Sequence, residues 1–227
     1  MRLLTIIFVF GFLINTAAQD KVQLKTEKDK FSYSLGYELG NNMHAQEMDL
    51  NVEALVKGLT NGLEANPELM NPDEMTELII KVQSEMIQKR EAEKRVVADR
   101  NKKEGETFLA KNRTKEGIIE TESGLQYRVI KEGTGKPIGD SENVKIHYRG
   151  YFLDGGEFDN SYKRGEPYDF DVTGVITGWK EALKLMKEGD KWQLFIPYHL
   201  AYGEQGGRGM EPCKMLLFDI EIISIVK

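Results

Sequence analysis

The hydrophobic period of this sequence changes near residue 120, and that change constrains the fold more than any other feature. Before it, apolar residues recur at helical intervals, as Phe31 and Leu35 do. After it, apolar and polar residues alternate, so that Val144, Ile146 and Tyr148 would share one face of a strand. We therefore expect an α+β chain, with an all-α N-terminal part followed by a C-terminal antiparallel sheet.

The first residues have the layout of a secretory signal peptide. A short basic head, Met1-Arg2, precedes an apolar run from Leu3 to Ile14, and the small residues Thr16-Ala17-Ala18 follow. The alternative is a membrane anchor, but a helix of that length rises only about 18 Å, against a bilayer core of roughly 30 Å. We predict a signal peptide over residues 1–18 and export to the periplasm, to the outer membrane or into the medium.

Charge and cysteine content argue against several classes of protein. The formal net charge of the 227 residues is −6, and loss of residues 1–18 removes one base and no acid, which gives −7. Because acidic residues interrupt the Lys- and Arg-rich stretch over residues 89–103, we expect no nucleic-acid partner. Cys213 is the single cysteine, so no intramolecular disulfide can form, and the three histidines lack metal-ligand spacing. We expect neither a metal nor a cofactor.

Residues 19–70 are predicted to form a helical dimerisation region. Two helices begin at suitable N-cap residues, Thr26 and Asn51. Each helix carries a stripe of small residues at i, i+4 spacing: Ser32, Gly36 and Gly40 in the first, and Ala54, Gly58 and Gly62 in the second. Glycine inside a helix costs about 1 kcal/mol relative to alanine, so close approach of another helix is the expected compensation. The alternative is that these glycines mark turns and that the helices are shorter.

A long connecting helix is predicted over residues 71–112. It begins at Asn71-Pro72, an N-cap followed by proline at the first helical position. Acid–base pairs at i, i+4 spacing support its exposed surface. Because the stretch from Lys89 to Lys103 has no apolar face, we expect it to run free as a spacer. Gly105 or Gly117 is then expected to interrupt the chain.

Residues 117–227 are predicted to form an antiparallel sheet with one buried face, covered by a single short helix. That helix is expected over Thr177 to Lys187, with Gly189 ending it. The sequence contains none of the common nucleophile, zinc-protease or phosphate-loop motifs. Several aromatic residues lie near the turns instead, and an apolar cleft lined by aromatic side chains is the usual form of a binding site.

Three blocks of this region are similar to one known family. "VKIHYRGYFLDGGEFDNSYKRGEPYDF", "VITGWKEALKLMKEGD" and "IPYHLAYGEQG…LLFDIEII" occur in the order and near the spacing of the FKBP-type peptidyl-prolyl cis-trans isomerases. "SYSLGYELGNN…NVEALVKGLTNGLE" resembles the helical N-terminal domain of the exported, dimeric, Mip- and FkpA-like branch of that family. The resemblance covers residues 117–227 and about 26–110. It implies a half-open barrel, in which the sheet wraps around the short helix.

The resemblance also implies a pocket for a prolyl ring, or for a macrolide inhibitor in its place. Trp179 would form the floor with one ring face bare, while the Ile176 amide and the Tyr202 hydroxyl would donate to substrate carbonyls. The implied catalytic residues are Tyr148, Asp159 and Tyr202. The implied substrate-binding residues are Tyr148, Phe158, Asp159, Arg164, Tyr168, Phe170, Val175, Ile176, Trp179, Tyr202, Met210 and Phe218.

Isomerase activity agrees with the missing catalytic motifs, because rotation about an X–Pro bond breaks no bond and needs no nucleophile. The expected partners are unfolded or partly folded proline-containing polypeptides, and the chain would form a homodimer through its N-terminal helices with chaperone activity in addition. Asp159 would contact Tyr148 and Arg164 as an electrostatic contributor; the alternative is a surface acid in a turn. The 206–212 loop departs from the family pattern. It leaves a second function open, a non-catalytic dimeric chaperone or ligand-binding module that uses the same apolar pocket.

Overall fold

The computed structural model describes residues 22–66, 69–139, 143–207 and 209–226. The predicted signal peptide and Arg208 lie outside the described residues. Within them, the helices are α1 (Glu27–Ala45), α2 (Val52–Leu63), α3 (Pro72–Asn112), α4 (Ser161–Arg164) and α5 (Thr177–Leu185), and the strands are β1 (Ile118–Glu120), β2 (Gln126–Lys131), β3 (Asn143–Tyr151), β4 (Glu157–Asn160), β5 (Tyr168–Asp171), β6 (Lys191–Ile196) and β7 (Leu216–Val226). No helix in this part of the chain combines the length and the apolar character needed to cross a bilayer.

The chain divides into two compact units, one ending at Glu74 and the other beginning at Met75. In the first unit, both predicted N-caps are confirmed. The Asp29 amide donates to Thr26 Oγ1 (3.1 Å) while the Asp29 carboxylate accepts from the Thr26 amide (2.8 Å), which completes a capping box. Asn51 Oδ1 accepts from the Ala54 amide at 3.0 Å. The two helices therefore begin where their local sequence satisfies the first unpaired N–H groups.

The prediction that α3 runs free as a spacer is wrong at its C-terminal end. Asn101, Gly105 and Asn112 are buried there. Gly105 does not interrupt the helix: it is buried within α3 against Met215, where an added Cβ would make an ordinary contact of 3.4 Å. The chain turns at Gly117 instead, whose φ of +77° favours glycine.

The second unit contains a single antiparallel sheet of seven strands within the described residues, in the order β1-β2-β6-β7-β3-β4. β5 pairs with β3 on the same edge as β4, over residues 143–146, while β4 pairs with residues 149–151. β3 and β7 are paired along their whole length, with Tyr148 opposite Ile220. Because the β3–β7 pair is long, the sheet can curve around α5.

The inner face of the sheet and α5 form the main core, as the alternating pattern predicts. Val144, Ile146 and Leu194 are fully buried on the strands, and Trp179 and Leu183 meet them from α5. Each such side chain contributes about 1.5–3 kcal/mol relative to its exposed state. The predicted α+β class, with a half-barrel sheet wrapped around a short helix and preceded by helices, is confirmed.

The expectation that only one face of the sheet is buried is wrong. Phe195, Met215 and Leu217 form a second buried cluster, and Phe108 and Leu109 of α3 pack against it. The ring centroids of Phe108 and Phe195 lie 5.7 Å apart. Alternation along a strand assigns residues to faces, but it does not show which outer positions another helix will cover.

Two further details differ from the prediction, the end of α5 and the presence of α4. α5 ends at Leu185, and Gly189 lies beyond it with φ +88°, in the turn that leads into β6. α4 was not predicted, because four residues are too few to show a helical period. It is nevertheless capped in the ordinary way: Asn160 Oδ1 accepts from the amides of Tyr162 (2.9 Å) and Lys163 (3.3 Å).

Candidate active site

Five aromatic side chains meet at the start of α5 and form what we call the aromatic site: Tyr148, Phe158, Phe170, Trp179 and Phe218. The Trp179 ring lies 5.3 Å from Tyr148 and 5.1 Å from Phe170, centroid to centroid. It lies 5.0 Å from Phe218, which in turn contacts Phe158 at 5.5 Å. All four contacts are edge-to-face, a geometry that adds about 0.5–1.5 kcal/mol per pair beyond burial. The rings therefore hold one another in fixed orientations.

Two glycines make room for this arrangement. A Cβ on Gly178, in the first turn of α5, would lie 2.5 Å from Ile196 Cγ2, so glycine allows the helix to start directly against β6. The missing side chain of Gly178 therefore serves close packing of α5 on β6. A Cβ on Gly150 in β3 would lie 2.6 Å from the Phe158 ring and 2.8 Å from Phe218. Glycine inside a strand often marks such an approach, and this signal identifies Gly150 as a site residue that our sequence analysis missed.

The backbone of Tyr148 is held by Ser161. On this edge β3 pairs with β5 up to Ile146 and with β4 from Arg149, which leaves Tyr148 between the two ladders. Ser161 Oγ accepts from the Tyr148 amide at 2.8 Å and donates to its carbonyl at 3.1 Å. The buried hydroxyl thus replaces the missing strand neighbour and fixes the tyrosine that forms one side of the site.

Tyr148, Asp159 and Arg164 form a hydrogen-bonded group beside the rings. The Tyr148 hydroxyl donates to Asp159 Oδ2 at 2.5 Å and accepts from Arg164 Nη2 at 2.8 Å, and Arg164 Nη1 donates to Asp159 Oδ1. Burial, with the Asp159 hydrogen bond, raises the pKa of Tyr148 to about 12. Burial also raises the pKa of Asp159, but hydrogen bonds from Tyr148 and Arg164 outweigh it, and the net pKa lies below its ordinary value. Tyr148 is therefore a neutral phenol that donates a hydrogen bond to the ionised carboxylate of Asp159.

Four further predicted site residues, which we call the rim, are partly buried and pack against the main core that contains Trp179: Val175, Ile176, Tyr202 and Met210. Ile176 is the N-cap residue of α5, and its carbonyl accepts from the amides of Trp179 and Lys180. In the part of the chain described, its own N–H has no hydrogen-bond partner, and neither has the Tyr202 hydroxyl. Two rim residues thus carry unused donors, which could bind carbonyl oxygens.

The structure brings together the five rings of the aromatic site, with Asp159 and Arg164 beside them, and differs from the prediction at the centre. Trp179 is only 3% exposed, so the expected bare ring face is wrong. The edges of Tyr148, Phe170 and Phe218 cover it. Tyr168 is on the outside, 54% exposed, with its ring 4.7 Å from that of Phe170. The accessible apolar surface of the site therefore comes from Phe158 and Phe170, which are partly buried, more than from Trp179.

A separate cleft lies elsewhere in the second unit. It has a volume of about 690 Å³ and is lined by Arg100, Asn101, Lys103, Glu104, Thr107, Leu153, Asp154, Glu211, Lys214 and Met215. None of the predicted site residues lines it, and both signs of charge occur along it. We locate the active site by its ring geometry and not by cleft size, because a prolyl ring is small and apolar.

Comparison with known proteins agrees with this geometry. A family model described as "FKBP-type peptidyl-prolyl cis-trans isomerase" matches residues 135–223, and one described as "Domain amino terminal to FKBP-type peptidyl-prolyl isomerase" matches residues 28–129. The outer membrane protein MIP of Legionella longbeachae is 40% identical over 96% of this chain and 95% of its own length. The chain belongs to the FKBP-type peptidyl-prolyl cis-trans isomerases.

Other members of the FKBP-type family extend the likeness to both halves of the chain. The FKBP-type 22 kDa peptidyl-prolyl cis-trans isomerase of Escherichia coli is 39% identical over 86% of this chain and 94% of its own length. The crystal structure of FkpA from Escherichia coli superposes with a TM-score of 0.66 at 33% identity, covering 89% of this chain and 98% of that one. The predicted family membership, and with it the isomerase activity, is confirmed.

Proposed function

We propose that this isomerase binds proline-containing segments of unfolded or partly folded polypeptides, with the prolyl ring against the aromatic site. The observation that carries the proposal is the set of edge-to-face rings that includes Trp179, together with two rim donors that have no partner among the described residues. A nucleophile and base are not required, because rotation of an X–Pro bond meets a resonance barrier of about 18–20 kcal/mol and breaks no bond.

The rings and the donors would favour the twisted amide over both planar forms. An apolar surface excludes water from the prolyl ring and its amide, and the planar amide, which is the more polar form, loses more by that exclusion. The N–H of Ile176 and the hydroxyl of Tyr202 would hold neighbouring carbonyl groups in place. A 10⁵-fold acceleration requires about 7 kcal/mol of preference for the twisted state.

Asp159 acts in this scheme through Tyr148. Its carboxylate is ionised and already accepts from Tyr148, Arg164 and the Asn160 amide (2.8 Å), so it has no free role as a general base. It fixes the phenol ring that forms one wall of the site. Of the three predicted catalytic residues, Tyr148 and Tyr202 would touch the substrate, and Asp159 would position Tyr148.

A protease-free isomerisation assay on a prolyl tetrapeptide tests the proposal. We expect Trp179→Leu to lower kcat/KM about 100-fold and Asp159→Val about 10-fold, because the first removes the centre of the ring cluster and the second frees Tyr148. Trp192→Leu is the matched control: Trp192 is also buried in the core, but it stacks on Tyr127 at 4.3 Å, outside the aromatic site. Equal loss of activity in both tryptophan variants would show that Trp179 matters only for folding.

We further propose that the protein is exported and acts as a homodimer. The signal-like residues 1–18 support export, and the relative named an outer membrane protein agrees with the periplasm, the outer membrane or the medium as its destination. Exposed apolar side chains on α1 and α2, among them Phe31 (69%) and Leu63 (82%), support an interface in the first unit. Gly36 and Gly58 face open space in the single chain, which leaves their surfaces free for a second copy. The aromatic site would accept a macrolide inhibitor in place of proline.

Chaperone activity is the second candidate, and the exposed apolar side chains of α1 and α2 favour it. A chain that lacks residues 19–96 retains the part of α3 that packs on the sheet, so its isomerase unit should remain folded. We expect this deletion to abolish suppression of client aggregation and to leave tetrapeptide isomerisation within about twofold. If the shortened chain still suppresses aggregation, the holding surface lies in the second unit and the dimeric-chaperone proposal fails.

A further inference from the structure

Asn101 of α3 is buried in a helix whose preceding turns are mostly exposed. Only 2% of its surface is accessible. Its amide nitrogen donates to Glu211 Oε2 at 3.0 Å and to the carbonyl oxygen of Pro212 at 2.9 Å. Its amide oxygen accepts from Lys214 Nζ at 3.4 Å. A buried side chain that uses both ends of its amide on one short segment fixes that segment, because each lost hydrogen bond would leave a buried group unpaired.

The segment that Asn101 holds, residues 209–214, has a backbone that needs external support. Gly209 has φ +81°, and Cys213 has φ +54°, a left-handed conformation that costs a residue with a Cβ. The Pro212 carbonyl that accepts from Asn101 belongs to the peptide bond directly before Cys213. Asn101 therefore binds the segment at the point where its backbone is least favourable.

The same segment carries Met210, which packs against the core that contains Trp179. Its amide and carbonyl exchange hydrogen bonds of 3.0 Å with those of Gly207. Ion pairs add to the anchor at Glu211, which lies 3.3 Å from Arg100 and 3.1 Å from Lys214. The Asn101 hydrogen bond and then that of Lys214 lower the pKa of the Glu211 carboxyl, which keeps it charged. The connecting helix and the rim of the site thus share one hydrogen-bonded group.

We propose that Asn101 is a positioning residue for the isomerase reaction: through residues 211–212 it sets the position of Met210 at the rim, and so the preference for the residue next to proline. This inference rests on the proposed binding of substrate at the aromatic site. In the absence of the Asn101 hydrogen bonds, Met210 would move with the loosened segment. The centre of the site, built on α5, β3 and β7, would stay in place.

Two buried asparagines of α3 give a matched pair of variants. Asn101→Ala removes the contact to residues 211–212. Asn112→Ala removes a contact of the same kind at the end of the helix, where Asn112 Nδ2 donates to Gln126 Oε1 at 3.0 Å on β2. Asn101→Asp keeps the size and the acceptor for Lys214, but loses the donor and places a second carboxylate against Glu211. All three are made in the full-length chain.

The first measurement is kcat/KM in the protease-free assay for tetrapeptides with Ala, Leu, Phe or Glu before proline. We expect Asn101→Ala and Asn101→Asp to change the ratio of kcat/KM for the Leu peptide to kcat/KM for the Ala peptide about 3- to 10-fold. The change should arise mainly in KM, because rim contacts to the substrate are lost. We expect Asn112→Ala to lower thermal stability about as much as Asn101→Ala does, and to keep the wild-type ratio of kcat/KM values. An unchanged ratio in Asn101→Ala, or the same change in Asn112→Ala, overturns the inference.

The second measurement follows the methyl resonance of Met210 in methionine-methyl-labelled protein. It should shift in Asn101→Ala and stay in place in Asn112→Ala; a resonance unchanged in Asn101→Ala also overturns the inference. If the wild-type chain shows no isomerisation, the proposed function fails, whereas the Met210 resonance still decides whether Asn101 positions the segment.

Discussion

Gly150 lies on the inner face of β3, directly against two walls of the aromatic site, and its replacement by alanine provides the sharpest test of that site. The added Cβ would lie 2.6 Å from the Phe158 ring and 2.8 Å from Phe218. Ordinary carbon contacts begin at about 3.4 Å, so the rings or the strand must move by roughly 0.6–0.8 Å. Because Gly150 is paired with Phe218 on β7 and with Asp159 on β4, the strand cannot move freely and the rings must.

The expected magnitudes follow from that displacement. Overpacking of a core site costs about 1–3 kcal/mol, which corresponds to a Tm decrease of roughly 2–12 °C for a unit of this size. A wall displaced by nearly 1 Å should lower kcat/KM about 10- to 100-fold. Both are measured on the same preparation, by thermal unfolding and by the protease-free assay. Gly174→Ala is the control, since a Cβ there meets nothing within 4 Å and its φ is not left-handed.

A double variant shows whether the clash with Phe158 is the cause. In Gly150→Ala with Phe158→Leu, the smaller side chain leaves space for the methyl group, so the two stability losses should be less than additive by about 1 kcal/mol. Activity should remain low, because the wall is then missing. If Gly150→Ala unfolds at a lower temperature but keeps kcat/KM within twofold of wild type, the reasoning that Phe158 and Phe218 shape the active site is refuted.

Two other predictions concern pH and assembly. Asp159 has a pKa below its ordinary 3.8, so its contribution to stability is present above about pH 4 and is lost as the pH falls through the folded-state pKa. The pKa of Tyr148 is raised to about 12, so its contribution is complete below its ordinary pKa of 10.0 and is lost as the pH rises through about 12. The pH–rate profile should therefore be flat from about pH 5 to 9, and a step near neutrality would indicate a general acid or base that the site does not contain. Gly36→Leu or Gly58→Leu should yield monomers in sedimentation with isomerisation retained, whereas a dimer that persists in both variants would exclude the glycine stripes as its contact.

Local signals were sufficient for the helix starts and for the strand faces. Thr26 and Asn51 carry the oxygen that an N-cap needs, and that requirement involves only the next three residues. Val144, Ile146 and Tyr148 alternate along β3 and are buried together. The aromatic residues of the site were found through family resemblance, since their contacts join residues far apart in sequence.

The docking of α3 shows what a simple pattern search overlooks. Asn101, Gly105, Phe108 and Asn112 recur every three or four residues and form one face of the helix, but only Phe108 is apolar. A search for an apolar stripe does not detect this face. It packs because Gly105 lies against Met215 and because the two asparagines find hydrogen-bond partners at Pro212 and Gln126.

The sequence by itself determined the two-part order of helices and strands, the caps, the inner face of β3 and the family. These properties depend on residues within a few positions of one another, or on motifs read along the chain. Only the tertiary structure decided that Trp179 is covered by its neighbours, that Gly150 and Gly178 make room for rings and helix, and that Asn101 supports the rim. Those facts depend on distances between segments up to 113 residues apart, as for Asn101 and Lys214, and no local pattern encodes them.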